Sequence, residues 1–144
     1  MITEIELKYK PRVLKELRIK INSSQSAYET LLNNWDDDTI ELYEEFKMLL
    51  LNRANEVIGI HTLSKGGIAG TIVDLKLLFA VALKSASSSI VLAHNHPSGN
   101  LNPSEADKNL YKKIKSAAKF LDISVLDNLI ITKNGYYSFV DEYY

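Results

Sequence analysis

Apolar and polar positions along the chain fall into short periodic blocks that predict most of its elements. Thr3–Lys8 reads TEIELK, with Ile5 and Leu7 set against charges, the alternation of a short or edge strand. Asn22–Ser24 supplies helix-start residues ahead of Ala27, Leu31, Leu32 and Trp35, which recur at helical spacing. The acidic run Asp36–Asp38 reads as a solvated stretch that can also cap a helix at Thr39–Leu42. Phe46–Leu51 is apolar apart from Lys47, and Glu56–Leu63 alternates through Val57, Ile58 and Ile60. With the polar Asn52–Asn55 between them, these two runs predict a hairpin.

Gly66, Gly67 and Gly70 mark a loop, and Asp74 opens a strongly apolar helix, Leu75–Lys84, of the kind that packs on a sheet. Ile90–Ala93 reads as a short buried strand. A loop punctuated by Pro97, Gly99 and Pro103 leads into a long amphipathic helix, Ser104–Leu121, with Leu110, Ile114, Ala117, Ala118 and Leu121 on one stripe. Two strands close the chain, Ser124–Thr132 and Tyr136–Val140, with Asn134-Gly135 as the turn. Helices and strands alternate without internal repeat, so the fold class is α/β mixed (α+β).

Composition narrows the chemistry. The 144 residues carry 17 Lys+Arg against 18 Asp+Glu, a net charge of −1, which argues against nucleic acid as the main partner. Lys108, Lys112, Lys113, Lys115 and Lys119 form a stripe on the long helix that reads as a solvated face. No cysteine is present, which excludes disulfide scaffolds, zinc ribbons, thiol nucleophiles and iron–sulfur sites. Apolar stretches such as Leu77–Leu83 fall far short of the roughly 18 residues that span a bilayer, and no signal peptide is evident. A cytoplasmic protein without a membrane partner is expected.

One segment concentrates the chemistry: His94-Asn95-His96-Pro97-Ser98-Gly99-Asn100-Leu101-Asn102-Pro103-Ser104-Glu105-Ala106-Asp107. Residues i and i+2 of a strand point to the same side about 6.5–7 Å apart, so His94 and His96 can converge on one metal ion. The bent loop can return Asp107 to the same point. Two imidazoles and a carboxylate leave a fourth tetrahedral position for water, as in catalytic zinc sites. Two plainer readings stand beside this one. Each histidine can be a hydrogen-bonded strand-end residue, and Ser104 with Asp107 can be a capping-box helix start. His61 reads as an ordinary surface residue.

A hydrolytic site also needs a proton acceptor. Glu44 and Glu45 open the first hairpin strand. By alternation Glu44 shares a side with Phe46, Met48 and Leu50, the costlier and more functional placement for a carboxylate. Glu45 shares a side with Lys47 and is expected to face solvent, with a place only as the second candidate base.

His-x-His, seven residues, Ser, two residues, Asp resembles the JAMM signature of JAB/MPN metallopeptidase domains. Its wording here, HNHPSGNLNPSEAD, is similar to the bacterial RadC-like branch, and the likeness runs from Glu44 to the C-terminus, about two-thirds of the chain. The resemblance implies a JAB/MPN-like, cytidine-deaminase-type sandwich, a central mixed β-sheet flanked by helices, over residues 37–144. Residues 1–36 are then an N-terminal extension packing on that domain. It also implies Zn2+ held by His94, His96 and Asp107, Glu44 as the acid that holds and deprotonates the attacking water, and Ser104 as the oxyanion donor. The implied activity is hydrolysis of an amide bond in a peptide or protein substrate; the alternative is a non-catalytic zinc-containing module for protein interaction or DNA repair, a link carried by the family name.

The sequence departs from the pattern in two places. The segment before Glu44 lacks the Gly-rich hairpins of the helix-hairpin-helix element that longer RadC-like proteins carry. Where the family often has Asp-His, this chain has Asp127-Asn128. The Gly66–Gly70 and Pro97–Pro103 loops are the expected rims of the cleft. The apolar Ile2–Ile21 segment offers a surface for pairing with a second copy, a homo-oligomer, or with another partner.

Overall fold

The structure is a computed structural model, described here for residues 1–66 and 72–142. A 3-10 turn at Lys15–Leu17 precedes α1 (Ser24–Asn33), β1 (Glu45–Leu51), β2 (Val57–Lys65), α2 (Leu75–Lys84), β3 (Ser89–Asn95), α3 (Glu105–Phe120), β4 (Ser124–Thr132) and β5 (Gly135–Ser138). The strands form one sheet in the order β2-β1-β3-β4-β5. β3 and β4 are parallel, and every other neighbouring pair is antiparallel. A parallel pair needs a crossover, and α3 supplies it.

Helices cover both faces of this sheet. Met48, Leu50, Ile90, Leu92 and Ile130 point to one face, where they bury Leu78 of α2 and Ile114 of α3. Leu49, Leu51, Val91, Ala93, Leu129 and Ile131 point to the other, against Ala27, Tyr28 and Leu31 of α1, with Trp35 and Ile40 beyond it. All residues of β1 and β3 are buried. That explains why both read as nearly unbroken apolar runs rather than alternating ones. The family-implied arrangement, a mixed sheet flanked by helices, is therefore the one observed.

Local chemistry sets the element ends. Ser23 caps α1 through a capping box with Ser26, and Asp74 caps α2 by accepting from the Lys76 N–H at 2.8 Å. The β1–β2 turn is held by Asn52, whose Oδ1 accepts from the Ala54 and Glu56 N–H groups, while Asn55 takes φ of 60°. Asparagine tolerates that left-handed conformation better than most residues.

Four expectations are corrected. Thr3–Lys8 forms no strand; Ile5 and Leu7 are 89% and 68% exposed. Alternation describes a capacity to pair, and this segment has neither a ladder partner nor a face to bury. Among the described residues, pairing from this end of the chain is confined to the Lys20–Glu56 bridge. Thr39–Leu42 forms successive hydrogen-bonded turns from Asp36 and Thr39 instead of a regular helix. Strand β5 stops at Ser138, because the Val140 N–H turns to the Asp127 carboxylate at 3.2 Å and leaves the ladder. The β4–β5 turn itself falls one residue earlier than expected, at Lys133-Asn134. Of the glycine loop, Gly67 and Gly70 lie outside the described residues.

Candidate metal centre

The site forms where β1 begins and β3 ends, beside the start of α3. His94 is the penultimate residue of β3, paired with Phe46 on β1 and Ile130 on β4. It follows Ile90 and Leu92 on the α2–α3 face, and its ring stacks on Phe46 with centroids 5.7 Å apart. His96 lies just past the strand. The Pro97–Asn100 turn closes with the Gly99 N–H donating to the His96 carbonyl at 2.9 Å, and Gly99 takes φ of 83°, a value suited to glycine. That turn sets the Asn100 carbonyl 2.6 Å from His96 Nδ1. A carbonyl only accepts, so Nδ1 carries the proton and Nε2 of a neutral ring presents its lone pair.

Asp107 reaches the same point from the first turn of α3. Its backbone N–H donates to Ser104 Oγ at 3.0 Å, and the Ser104 N–H donates to Asp107 Oδ2 at 2.9 Å. The capping box and the metal-ligand reading thus use the same two residues. Capping fixes the Asp107 rotamer and leaves Oδ1 and part of Oδ2 directed at the histidines.

The three side chains meet tightly. His94 Nε2 is 3.1 Å from His96 Nε2, and each lies 3.3 Å from an Asp107 carboxylate oxygen. Donors about 2.0–2.1 Å from a tetrahedral zinc ion sit about 3.3–3.4 Å from one another. The observed triangle has that size, and two nitrogens plus one oxygen match the donor set of catalytic zinc. Three lone-pair groups facing each other also repel unless a cation or proton lies among them. Burial alone pulls the His96 pKa down, but the Asp107 hydrogen bond, the Asn100 carbonyl and the charges of Asp107 and Glu44 outweigh it, so the net shift is upward. Burial likewise raises Asp107, yet its bonds to His94 and His96 and to the Ser104 N–H hold it well below the usual carboxylate range. The cluster is built for positive charge.

Glu44 immediately precedes β1 and is partly buried. It lines a cavity of about 30 Å³ together with Phe46, His94, Asp107 and Asn128. Its placement depends on Asn95, which the sequence reading passed over. Asn95 is fully buried on the opposite face of β3 from His94. Its Nδ2 donates to the Ile40 carbonyl at 2.7 Å and the Tyr43 carbonyl at 2.9 Å, and its Oδ1 accepts from the Glu45 N–H at 2.7 Å. The middle residue of His-Asn-His thus staples the chain that delivers Glu44 to the histidines. A polar residue inside a buried strand, pointing away from its polar neighbours, was the available signal.

Glu45 corrects an expectation. It is 3% exposed, not solvent-facing, and pairs with Lys47 at 3.0 Å and Lys65 at 3.7 Å. The reason is the second layer: α1 and Trp35 cover the face on which Glu45 and Lys47 sit, and Lys47 Nζ lies 5.1 Å from the Trp35 ring. This face points away from the histidines, which removes Glu45 as a second candidate base. Ser104 is exposed at the mouth of the site; its capping bond uses an oxygen lone pair and not the hydroxyl proton. His61 is exposed on β2, and Lys112, Lys113, Lys115 and Lys119 are exposed on α3.

Comparison with known proteins agrees with the geometry. The RadC-like JAB domain family description matches residues 21–144. The chain belongs to the RadC-like JAB domain family. A UPF0758 protein of Flavobacterium johnsoniae is 48% identical over 99% of this chain, covering 61% of the relative. Those of Porphyromonas gingivalis and Alkaliphilus metalliredigens are 40% and 44% identical over 87% and 84% of this chain, covering 54% and 55% of the relatives. This RadC-like chain therefore spans little more than half the length of the curated relatives it matches. The family match begins inside the segment read as an extension and includes α1, which buries Ala27, Tyr28 and Leu31. Among the described residues, no helix is long and apolar enough to cross a membrane.

Proposed function

We propose that this domain is a zinc-dependent hydrolase that cleaves an amide bond in a peptide or protein. The observation that carries this reading is the convergence of His94 Nε2, His96 Nε2 and the Asp107 carboxylate within 3.1–3.3 Å, beside a cavity that Glu44 lines. These three residues would hold the ion. A bound zinc would lower the pKa of water toward 7 and polarise the scissile carbonyl.

The protein's own groups supply the remaining steps. The Glu44 carboxylate takes a proton from the attacking water and delivers it to the leaving amine, a positioned general base and then acid. The Ser104 hydroxyl donates toward the oxygen on which negative charge develops. Phe46 stacked on His94, with Leu110 and Ile114 along the cavity, keeps the ligand cluster in an apolar setting where such interactions strengthen.

The test is turnover of a peptide or isopeptide library by zinc-loaded protein, with Glu44→Gln as the control. The variant should keep one equivalent of zinc and lose hydrolysis by about 10²–10⁴-fold. Equal activity in wild type and Glu44→Gln would overturn the assigned base. Zinc-loaded wild type that leaves every amide in the library intact would favour the non-catalytic module.

A further inference from the structure

We propose that Asn128 is a positioning residue for the metal centre, acting on His94 through a single water held in the cavity that both residues line. The water accepts from His94 Nδ1–H and donates to Asn128 Oδ1. This fixes the His94 ring with its Nε2 lone pair turned toward His96 and Asp107. The inference rests on the metal-site reading above and extends it to a residue on a neighbouring strand.

Two unpartnered atoms motivate the proposal. Trp35 Nε1, His94 Nδ1 and Asn128 Oδ1 are the buried side-chain polar atoms without a hydrogen-bond partner among the described residues. His94 and Asn128 are each 3% exposed, and both line the cavity of about 30 Å³. A cavity needs roughly 10–15 Å³ of such space to hold a water, and the water needs two to four polar partners. Glu44 and Asp107 line the same cavity, and the Glu44 carboxylate is the acceptor for the water's second O–H. The walls are otherwise apolar, from Phe46, Leu110 and Ile114 among others.

The two atoms are complementary in kind. An imidazole that offers Nε2 to a metal must carry its proton on Nδ1, and metal-bound histidines almost always donate that proton to a carboxylate, carbonyl or water. His96 meets this requirement through the Asn100 carbonyl at 2.6 Å. For His94 the candidate acceptor comes from β4, where Asn128 pairs with Leu92, two residues before His94 on the same face of the sheet. An amide oxygen accepts and a ring N–H donates, so one water between them satisfies both. An apolar side chain at 128 would remove the acceptor, and the His94 proton could then occupy Nε2 and close the lone pair.

The experiment uses the full chain and zinc alone, with affinity measured by chelator competition and the His94 tautomer read from ¹⁵N-histidine NMR. Asn128→Leu should bind zinc about 10–100-fold more weakly, with His94 shifted toward the Nε2-protonated form. Asn128→Asp, which keeps an acceptor of the same shape, should stay within a few-fold of wild type. Zinc affinity unchanged in Asn128→Leu, or lost equally in both variants, would overturn the proposal, because packing alone would then explain residue 128. Should Asn128→Leu not fold, zinc-loaded wild type still decides: a His94 ring protonated on Nδ1 and protected from solvent exchange supports the water bridge, and a rapidly exchanging or Nε2-protonated ring overturns it. A wild type with no affinity for zinc would sink the metal reading by itself, while the metal-free His94 tautomer would still test the contact: a shift toward the Nε2-protonated form in Asn128→Leu but not in Asn128→Asp supports it, and an unmoved tautomer in Asn128→Leu overturns it.

Discussion

The two faces of one sheet treat buried polar groups in opposite ways. On the α1 face, Glu45 is paired with Lys47 and Lys65, and Asn95 makes three hydrogen bonds. On that face too, the Asp127 carboxylate accepts from the Ser138 hydroxyl at 2.6 Å and from the Asn128 and Val140 N–H groups. On the α2–α3 face, His94 Nε2, His96 Nε2 and the Asp107 carboxylate crowd within 3.1–3.3 Å of one another, and His94 Nδ1 and Asn128 Oδ1 are unpartnered. Apart from Trp35 Nε1, the first face pairs its buried polar groups among themselves and stabilises the fold. The second gathers a triad that could hold a cation. Cavity size would have pointed the other way, since a larger cavity of about 310 Å³ lies on the α1 face beside Asp127 and Asp141. The donor set marks the candidate metal centre, and volume does not.

Substitutions can break this comparison, the largest effects first. His94→Ala and His96→Ala should each abolish zinc retention, from one equivalent per chain to none, measured by plasma mass spectrometry of dialysed protein. Glu45→Ala should leave zinc stoichiometry intact yet cost about 3–5 kcal/mol in urea unfolding, because Lys47 loses its closest buried partner. Loss of zinc in that variant would show that the two faces are not separable. Asn95→Leu bridges the faces: unsatisfied carbonyls and an orphaned N–H should cost about 2–4 kcal/mol. If Asn95 positions Glu44, hydrolysis by the folded fraction should fall as well.

The smallest expected effect is a pH dependence. Burial raises the Asp127 pKa, against the opposing bonds from Ser138, Val140 and Asn128, and Asp141 adds to the rise. The folded state therefore binds this proton more tightly than the unfolded chain does. Asp127 should favour folding at acid pH, and that contribution should be lost as pH rises through its folded pKa. Asp127→Asn should flatten this part of the stability–pH profile, with a change of about 1 kcal/mol or less at neutral pH. An unchanged slope above pH 4 would place the titration elsewhere.

Periodicity and spacing made much of this legible. The apolar runs of β1 and β3 report burial on two faces, and His94-x-His96 with Ser104-x-x-Asp107 carries the candidate ligands and the helix cap in one phrase. What escaped were properties set by the second layer. Glu45 beside Lys47 looks like a solvated pair until α1 and Trp35 cover it. Thr3–Lys8 has the alternation of a strand and no partner to realise it. Asn95 acts through hydrogen bonds to residues 50 or more positions away, and no local pattern encodes such contacts.

The central claim is that His94, His96 and Asp107 form one zinc site. Anomalous diffraction at the zinc edge from crystals grown with one equivalent of zinc tests it most directly. The account predicts a single strong peak within about 2.0–2.2 Å of His94 Nε2, His96 Nε2 and an Asp107 carboxylate oxygen. A zinc-equilibrated crystal with no peak between these residues, or with zinc bound only elsewhere on the chain, would contradict it.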